Sequence, residues 1–171
     1  MKVVSIIGAK DTYKTRVAEL LISRLSSMEL RVGGVKHLHS SRVDKPGKDT
    51  WRMAEAGASL VVAVGRGEVA TIERRDLGLK EVLEALKGKV DVIVVEGFKR
   101  EASSMDGVVK VLAAKSLEEL EELLKDVKPP IAAITGPIAK GLSSWRGIPV
   151  IDLDKDPSPL IDAVLSSLSL K

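Results

Sequence analysis

Gly8-Ala9-Lys10-Asp11-Thr12-Tyr13-Lys14-Thr15 decides how this chain folds. An apolar run, Val3-Val4-Ser5-Ile6-Ile7, leads into it. Apolar residues at helical spacing follow it: Val17, Leu20, Leu21, Leu25 and Met28. Strand, tight loop and helix N-terminus in that order suit a phosphate, because the first N–H groups of the helix are unpaired and its dipole favours an anion. The pattern for such a loop is G-x-x-x-x-G-K-[ST]. Gly8, Lys14 and Thr15 match it, and Tyr13 stands where the second glycine belongs. Gly8, Asp11, Thr12, Tyr13, Lys14 and Thr15 are therefore the nucleotide-binding candidates. Lys14 would reach a β- or γ-phosphate as a point charge, and the Thr15 hydroxyl would ligate Mg²⁺. The competing reading is a capped helix start that happens to carry Lys-Thr.

Outward from the loop, strand-like and helix-like segments alternate. Strands are expected at residues 2–7, 31–36, 60–64, 68–72, 90–95, 108–113, 131–134 and 148–151. Gly33-Gly34 in the second of these implies close backbone approach. A short helix begins at Asp49 or Thr50, either of which can cap it, and ends at Gly57. Leu79, Val82, Leu83 and Leu86 make the stripe of a further helix. Ser116 and Glu119 form a capping box before Leu117, Leu120, Leu123 and Leu124. Leu160, Ile161, Val164, Leu165 and Leu168 close the chain as a helix. Residues 100–107 are the least patterned. This alternation predicts a three-layer α/β fold, P-loop NTPase-like, with a mostly parallel twisted sheet and helices on both faces. No repeat, linker or boundary interrupts it, so residues 1–171 are expected to form a single domain.

Composition narrows the function classes. The 171 residues are 44% hydrophobic and 30% charged, as in a globular protein. There is no cysteine, which excludes disulfides and thiolate-held metals. No apolar run approaches the roughly 20 residues of a membrane span, and the N-terminal run is short for a signal peptide, so a cytoplasmic protein is expected. A net charge of +3 with 2% aromatics argues against a nucleic-acid binder that stacks bases. The chain lacks Asn and Gln as well as Cys and is rich in Lys and Glu, a thermophile-like bias.

Two further stretches carry chemistry. Glu96 ends the apolar run Val92-Ile93-Val94-Val95, and an acid at the carboxyl end of a buried strand lies in the crevice where such sheets bind ligands. It could hold Mg²⁺ or orient a water. Lys36-His37-Leu38-His39 precedes a dense polar block containing Asp44, Lys45, Pro46, Gly47, Lys48, Asp49 and Arg52. The alternating His pair could ligate a metal, although loop histidines are more commonly hydrogen-bonded. Phosphate or Mg²⁺ contacts are the natural use of the block.

Together these features resemble the MobB family, the molybdopterin-guanine dinucleotide biosynthesis adapter proteins. The resemblance rests on the loop, on Lys36-His37-x-His39, on Asp44-x-Pro46-Gly47-Lys48-Asp49-Thr50-x-Arg52 running to Ala56-Gly57-Ala58, and on Asp91 through Glu96-Gly97-Phe98-Lys99. It spans roughly the first two thirds of the chain. It implies a GTP-binding P-loop protein, similar to dimeric P-loop NTPases and hence a homodimer, with slow GTPase activity. Such a protein assists the molybdopterin guanylyltransferase or other molybdenum-cofactor proteins. Carried over, Gly8, Lys14 and Thr15 hold phosphate and Mg²⁺, and Asp44 and Glu96 are acids near the metal. Lys36, His37, His39, Lys48, Asp49 and Arg52 line the pocket. Three positions depart from the family pattern: Tyr13 replaces a glycine, Arg16 stands where a second Thr is usual, and Ser40 stands where many members have a further His. The rival functions are a P-loop kinase-like phosphotransferase on a small cofactor, with Arg74-Arg75 or Lys99-Arg100 as its basic pair, and a scaffold that has lost nucleotide binding.

Overall fold

A computed structural model describes residues 1–38 and 42–170. His39 and Ser40 lie outside the described residues. The backbone gathers into two compact units, one of Met1–His37 with Gly78–Lys171 and one of Leu38–Leu77.

The first unit is built on five parallel strands. They are β1 (Lys2–Gly8), β2 (Val32–Lys36), β5 (Val92–Glu96), β6 (Val108–Ala113) and β7 (Ile131–Thr135), in the order β2-β5-β1-β6-β7. Burial on both faces explains why β1, β5 and β6 read as mostly apolar runs rather than alternating ones. On one face Val3, Ile7, Ile93, Val95, Val108 and Leu112 pack against α3 (Leu79–Leu86), α4 (Lys99–Ser104) and α5 (Leu117–Leu124). On the other, Val4, Ile6, Val92, Val94, Val109 and Val111 meet α1 (Lys14–Ser27) and α6 (Ser158–Ser167). The helices therefore cover both faces, as the alternation predicts.

Local differences have physical causes. Residues 100–107 were expected to be unpatterned, yet α4 occupies most of them. Its inward side chains, Ala102 and Ser103, are too small to mark an apolar stripe. The Ser116 hydroxyl caps α5 by accepting from the Glu119 N–H at 3.3 Å, and Glu119 accepts from the Lys115 N–H at 2.6 Å. The expected strand at 148–151 is a two-residue ribbon of β8 (Ser144–Trp145) and β9 (Ile148–Pro149). Val150 then bridges to Ile134 in parallel, which extends the edge of the sheet.

The second unit holds α2 (Asp49–Glu55) and an antiparallel pair, β3 (Leu60–Val64) and β4 (Val69–Glu73). These two strands are present as expected but do not join the parallel sheet. The short Gly65-Arg66-Gly67 connection permits only a hairpin, since a parallel crossover needs a dozen or more residues. Lys48, rather than Asp49 or Thr50, takes the N-cap position of α2, with no side-chain cap. The Thr50 hydroxyl instead donates to Asp44 Oδ1 at 3.0 Å.

Candidate functional site

The loop between β1 and α1 is shaped by its backbone. A Cβ on Gly8 would lie 2.1 Å from the carbonyl oxygen of Ala113 on the neighbouring strand, so only glycine fits. Thr12 is 1% exposed and its hydroxyl donates to the Ala9 carbonyl at 2.8 Å, which ties the loop across itself. Asp11 and Tyr13 hold left-handed φ values of 59° and 69°. Tyr13 thus adopts the backbone conformation that a glycine would supply, and it does so with its ring packed against the α1–α6 side of the core. It is also the N-cap residue of α1, and its side chain caps none of the first N–H groups of that helix.

Two lysines and one carboxylate interact beside the loop. Lys14 Nζ hydrogen-bonds the Ala9 carbonyl. Burial holds its ammonium below the ordinary lysine value; Glu96 opposes that shift and Lys36 adds to it. The Thr15 hydroxyl donates to Glu96 Oε2 at 3.0 Å. Parallel pairing sets Lys36 of β2 opposite Glu96 of β5, and Lys36 Nζ lies 2.9 Å from each Glu96 oxygen and 3.3 Å from Thr15 Oγ1. The Glu96 side chain is 12% exposed, so this is a largely desolvated acid with a cation on one side and a hydroxyl on the other. Residues 10–16 and Glu96 line an open cleft of about 270 Å³.

The turn after Glu96 is equally constrained. Gly97 has φ 103°, and a Cβ there would stand 2.7 Å from that of His37. The His37 N–H donates to the Glu96 carbonyl at 2.9 Å, and its ring stacks on Phe98 with centroids 4.3 Å apart. His37 therefore braces the strand ends. Among the described residues, no group of three or more His, Asp or Glu is placed to hold a metal ion. Thr15 Oγ1 and the Glu96 carboxylate do fit Mg²⁺, a hard cation that takes one or two protein oxygens and completes its shell with phosphate and water.

Of the predicted site residues, Gly8, Asp11, Thr12, Tyr13, Lys14, Thr15, Lys36, His37 and Glu96 come together in the first unit. Asp44, Lys48, Asp49 and Arg52 belong to the second. There Asp49 and Arg52 approach to 3.7 Å on the exposed face of α2, and both side chains are mostly in solvent. Asp44 lines a different cavity of about 430 Å³, with Arg42, Trp51, Ile72, Arg74 and Arg75. Asp44 Oδ2 and the Trp51 indole nitrogen are buried without hydrogen-bond partners among the described residues. Arg74 pairs with Glu55 and Arg75 with Glu73, so this basic pair is engaged within its own unit. Sequence reasoning missed Arg42 and Trp51. One of only two tryptophans, set inside the Asp49–Arg52 stretch, was the available signal.

Known proteins of similar sequence and structure place the chain. A protein-family model described as Molybdopterin guanine dinucleotide synthesis protein B matches residues 3–134. The molybdopterin-guanine dinucleotide biosynthesis adapter protein of Haemophilus influenzae is 34% identical over 121 residues, 68% of each chain. The probable adapter protein of Bacillus subtilis is 29% identical over 97% of this chain and 92% of the relative. The crystal structure of Bacillus subtilis MobB superposes with a TM-score of 0.77 at 27% identity, covering 98% of both chains. By the extent of these matches, the chain belongs to the MobB family, Molybdopterin guanine dinucleotide synthesis protein B.

Proposed function

We propose that this protein is an accessory, or adapter, protein of molybdopterin-guanine dinucleotide biosynthesis that binds GTP with Mg²⁺ in the cytoplasm and turns it over slowly. The accessory role follows from family membership. The nucleotide reading is supported by one observation: Thr15 Oγ1, Glu96 and Lys36 converge within 3.3 Å beside the β1–α1 loop that carries Lys14. When bound, Mg²⁺ would neutralise charge on the β- and γ-phosphates, with Thr15 and Glu96 holding it directly or through water. Slow turnover follows from the acids present. Glu96 is committed to Thr15 and Lys36, Asp11 is exposed, and among the described residues no other carboxylate lines the loop cleft to serve as a general base. The partner chemistry is that of the guanylyltransferase that joins GMP to molybdopterin, and the chain acts as a homodimer.

Calorimetric titration with GTP and with ATP, each with and without Mg²⁺, tests this. Binding of GTP in preference to ATP, with little phosphate released, is the expected result. Acceptor-dependent phosphate transfer would make the protein a phosphotransferase instead, and absence of binding by either nucleotide would leave only a scaffold.

A further inference from the structure

The Lys36 ammonium occupies the position a divalent cation needs. Its Nζ touches both Glu96 oxygens at 2.9 Å and Thr15 Oγ1 at 3.3 Å, the same three oxygens that would receive Mg²⁺. A magnesium ion binds oxygen at about 2.0–2.1 Å. Bound directly to a Glu96 oxygen, it would then stand within about 5 Å of Nζ, and two cations that close on a partly desolvated carboxylate repel strongly. Both cannot stay. Lys36 sits on the edge strand β2 with its side chain 52% exposed, so it is free to swing away, whereas Thr15 and Glu96 are anchored at the helix start and the strand end.

We propose that Lys36 is a tethered competitor for the metal: it holds Glu96 and Thr15 while the site has no nucleotide, and it yields them to the metal only when a phosphate can receive its charge. This rests on the nucleotide reading of the loop and adds a rule for how the site fills. Metal and triphosphate enter together. Free divalent cation alone faces the ammonium, and a triphosphate supplies both ligands for the metal and a new partner for Lys36. The coupling is reciprocal, so nucleotide affinity depends on metal by the same factor. Lys14 does not play this part, because its Nζ is turned back to the Ala9 carbonyl inside the loop.

Mn²⁺ binding to the full chain, followed by electron paramagnetic resonance without nucleotide, tests the competition directly. Wild type is expected to bind Mn²⁺ weakly. Lys36→Met should bind it roughly tenfold or more tightly, the order expected when a unit charge within about 5 Å of the metal is removed. Lys36→Arg, which keeps the charge, should behave as wild type. Adding Glu96→Gln to Lys36→Met should erase the gain and so locate it. Adding a non-hydrolysable GTP analogue should tighten Mn²⁺ binding by a larger factor in wild type than in Lys36→Met. Equal Mn²⁺ affinity in wild type and Lys36→Met, or a gain that survives Glu96→Gln, overturns the proposal. The nucleotide-free arms judge Lys36 by themselves: a gain in Lys36→Met in a chain that binds no nucleotide would refute the GTP reading and leave the competition standing.

Discussion

Tyr13 carries a side chain in a conformation that costs a non-glycine residue on the order of 1 kcal/mol. Burial of part of its ring against the core offsets this, at about 25 cal/mol per Å² removed from water. The two terms oppose each other, so Tyr13→Gly is expected to change stability by less than about 1 kcal/mol. Because the ring packs towards the core, nucleotide affinity by calorimetry should change less than about threefold, and a tenfold tightening would show that the phenol crowds the loop. Lys110 poses a different problem. It is 0% exposed in the middle of β6, with Nζ donating to the Met105 carbonyl at 2.8 Å. Burial holds its ammonium below the ordinary lysine value, Asp106 opposes this and Lys128 adds to it. Between the lowered value and the ordinary one, the folded chain binds fewer protons here than the unfolded chain. Stability therefore rises with pH through that window, and the burial cost is fully present below it. Lys110→Met should raise stability at neutral pH by about 1 kcal/mol or more, with the advantage shrinking as pH approaches the ordinary lysine value. Thermal melts across pH would check both the gain and its direction. Nothing in the sequence marks this lysine as buried, since a lysine within an apolar strand reads as a residue facing water.

Between elements, the same limit recurs. β1, β5 and β6 were legible because full burial demands mostly apolar runs, broken only by Ser5 and Lys110, and α1, α3 and α6 because one buried face imposes a 3.6-residue period. α4 was not, because its contacts are made by an alanine and a serine. Lys36 and Glu96 could each be placed at a strand end, but their meeting depends on β2 pairing with β5 across 60 residues, which no local pattern encodes. The β3–β4 hairpin was legible as two strands, while its separation from the sheet had to come from the short turn. One of its faces is left apolar and open: Leu60 is 50% exposed, Val62 52%, Val64 78% and Val69 66%. Alternation puts these four on one side, with Val64 paired directly to Val69. An exposed apolar ribbon whose edges pair with no other strand among the described residues is a surface on which a second copy of the chain can lie, and it supports the homodimer proposed above. Val62→Glu with Val64→Glu should convert a dimer to a monomer in sedimentation equilibrium, with the circular dichroism of the fold unchanged. A variant that remains dimeric would place the interface elsewhere.

At the scale of the molecule, the chain divides its candidate residues between two units. The loop, Thr15, Lys36 and Glu96 lie in the first, and Asp44, Lys48, Asp49 and Arg52 in the second. The sequence resemblance assigns all of them to one pocket, and within the first unit Lys14, Thr15, Lys36 and Glu96 already lie together. Ligand binding to the folded state alone stabilises it by about 2.7 kcal/mol when the free ligand is at 100 times its dissociation constant. That stabilisation slows amide exchange in the segments that hold the ligand, because their local opening now carries the binding energy as well. With GTP and Mg²⁺, hydrogen exchange is expected to slow first across the β1–α1 loop and at the carboxyl ends of β2 and β5, where backbone N–H groups would meet phosphate. Lys48, Asp49 and Arg52 are exposed, and slower exchange in α2 would add them to the nucleotide pocket as the resemblance implies. Slowing confined to the second unit, around Asp44 and Trp51 with the first unit unchanged, would move the nucleotide site off the loop altogether. The same experiment with Mg²⁺ but no nucleotide should leave the β1–α1 loop unprotected, since Lys36 already occupies the oxygens a lone cation would seek.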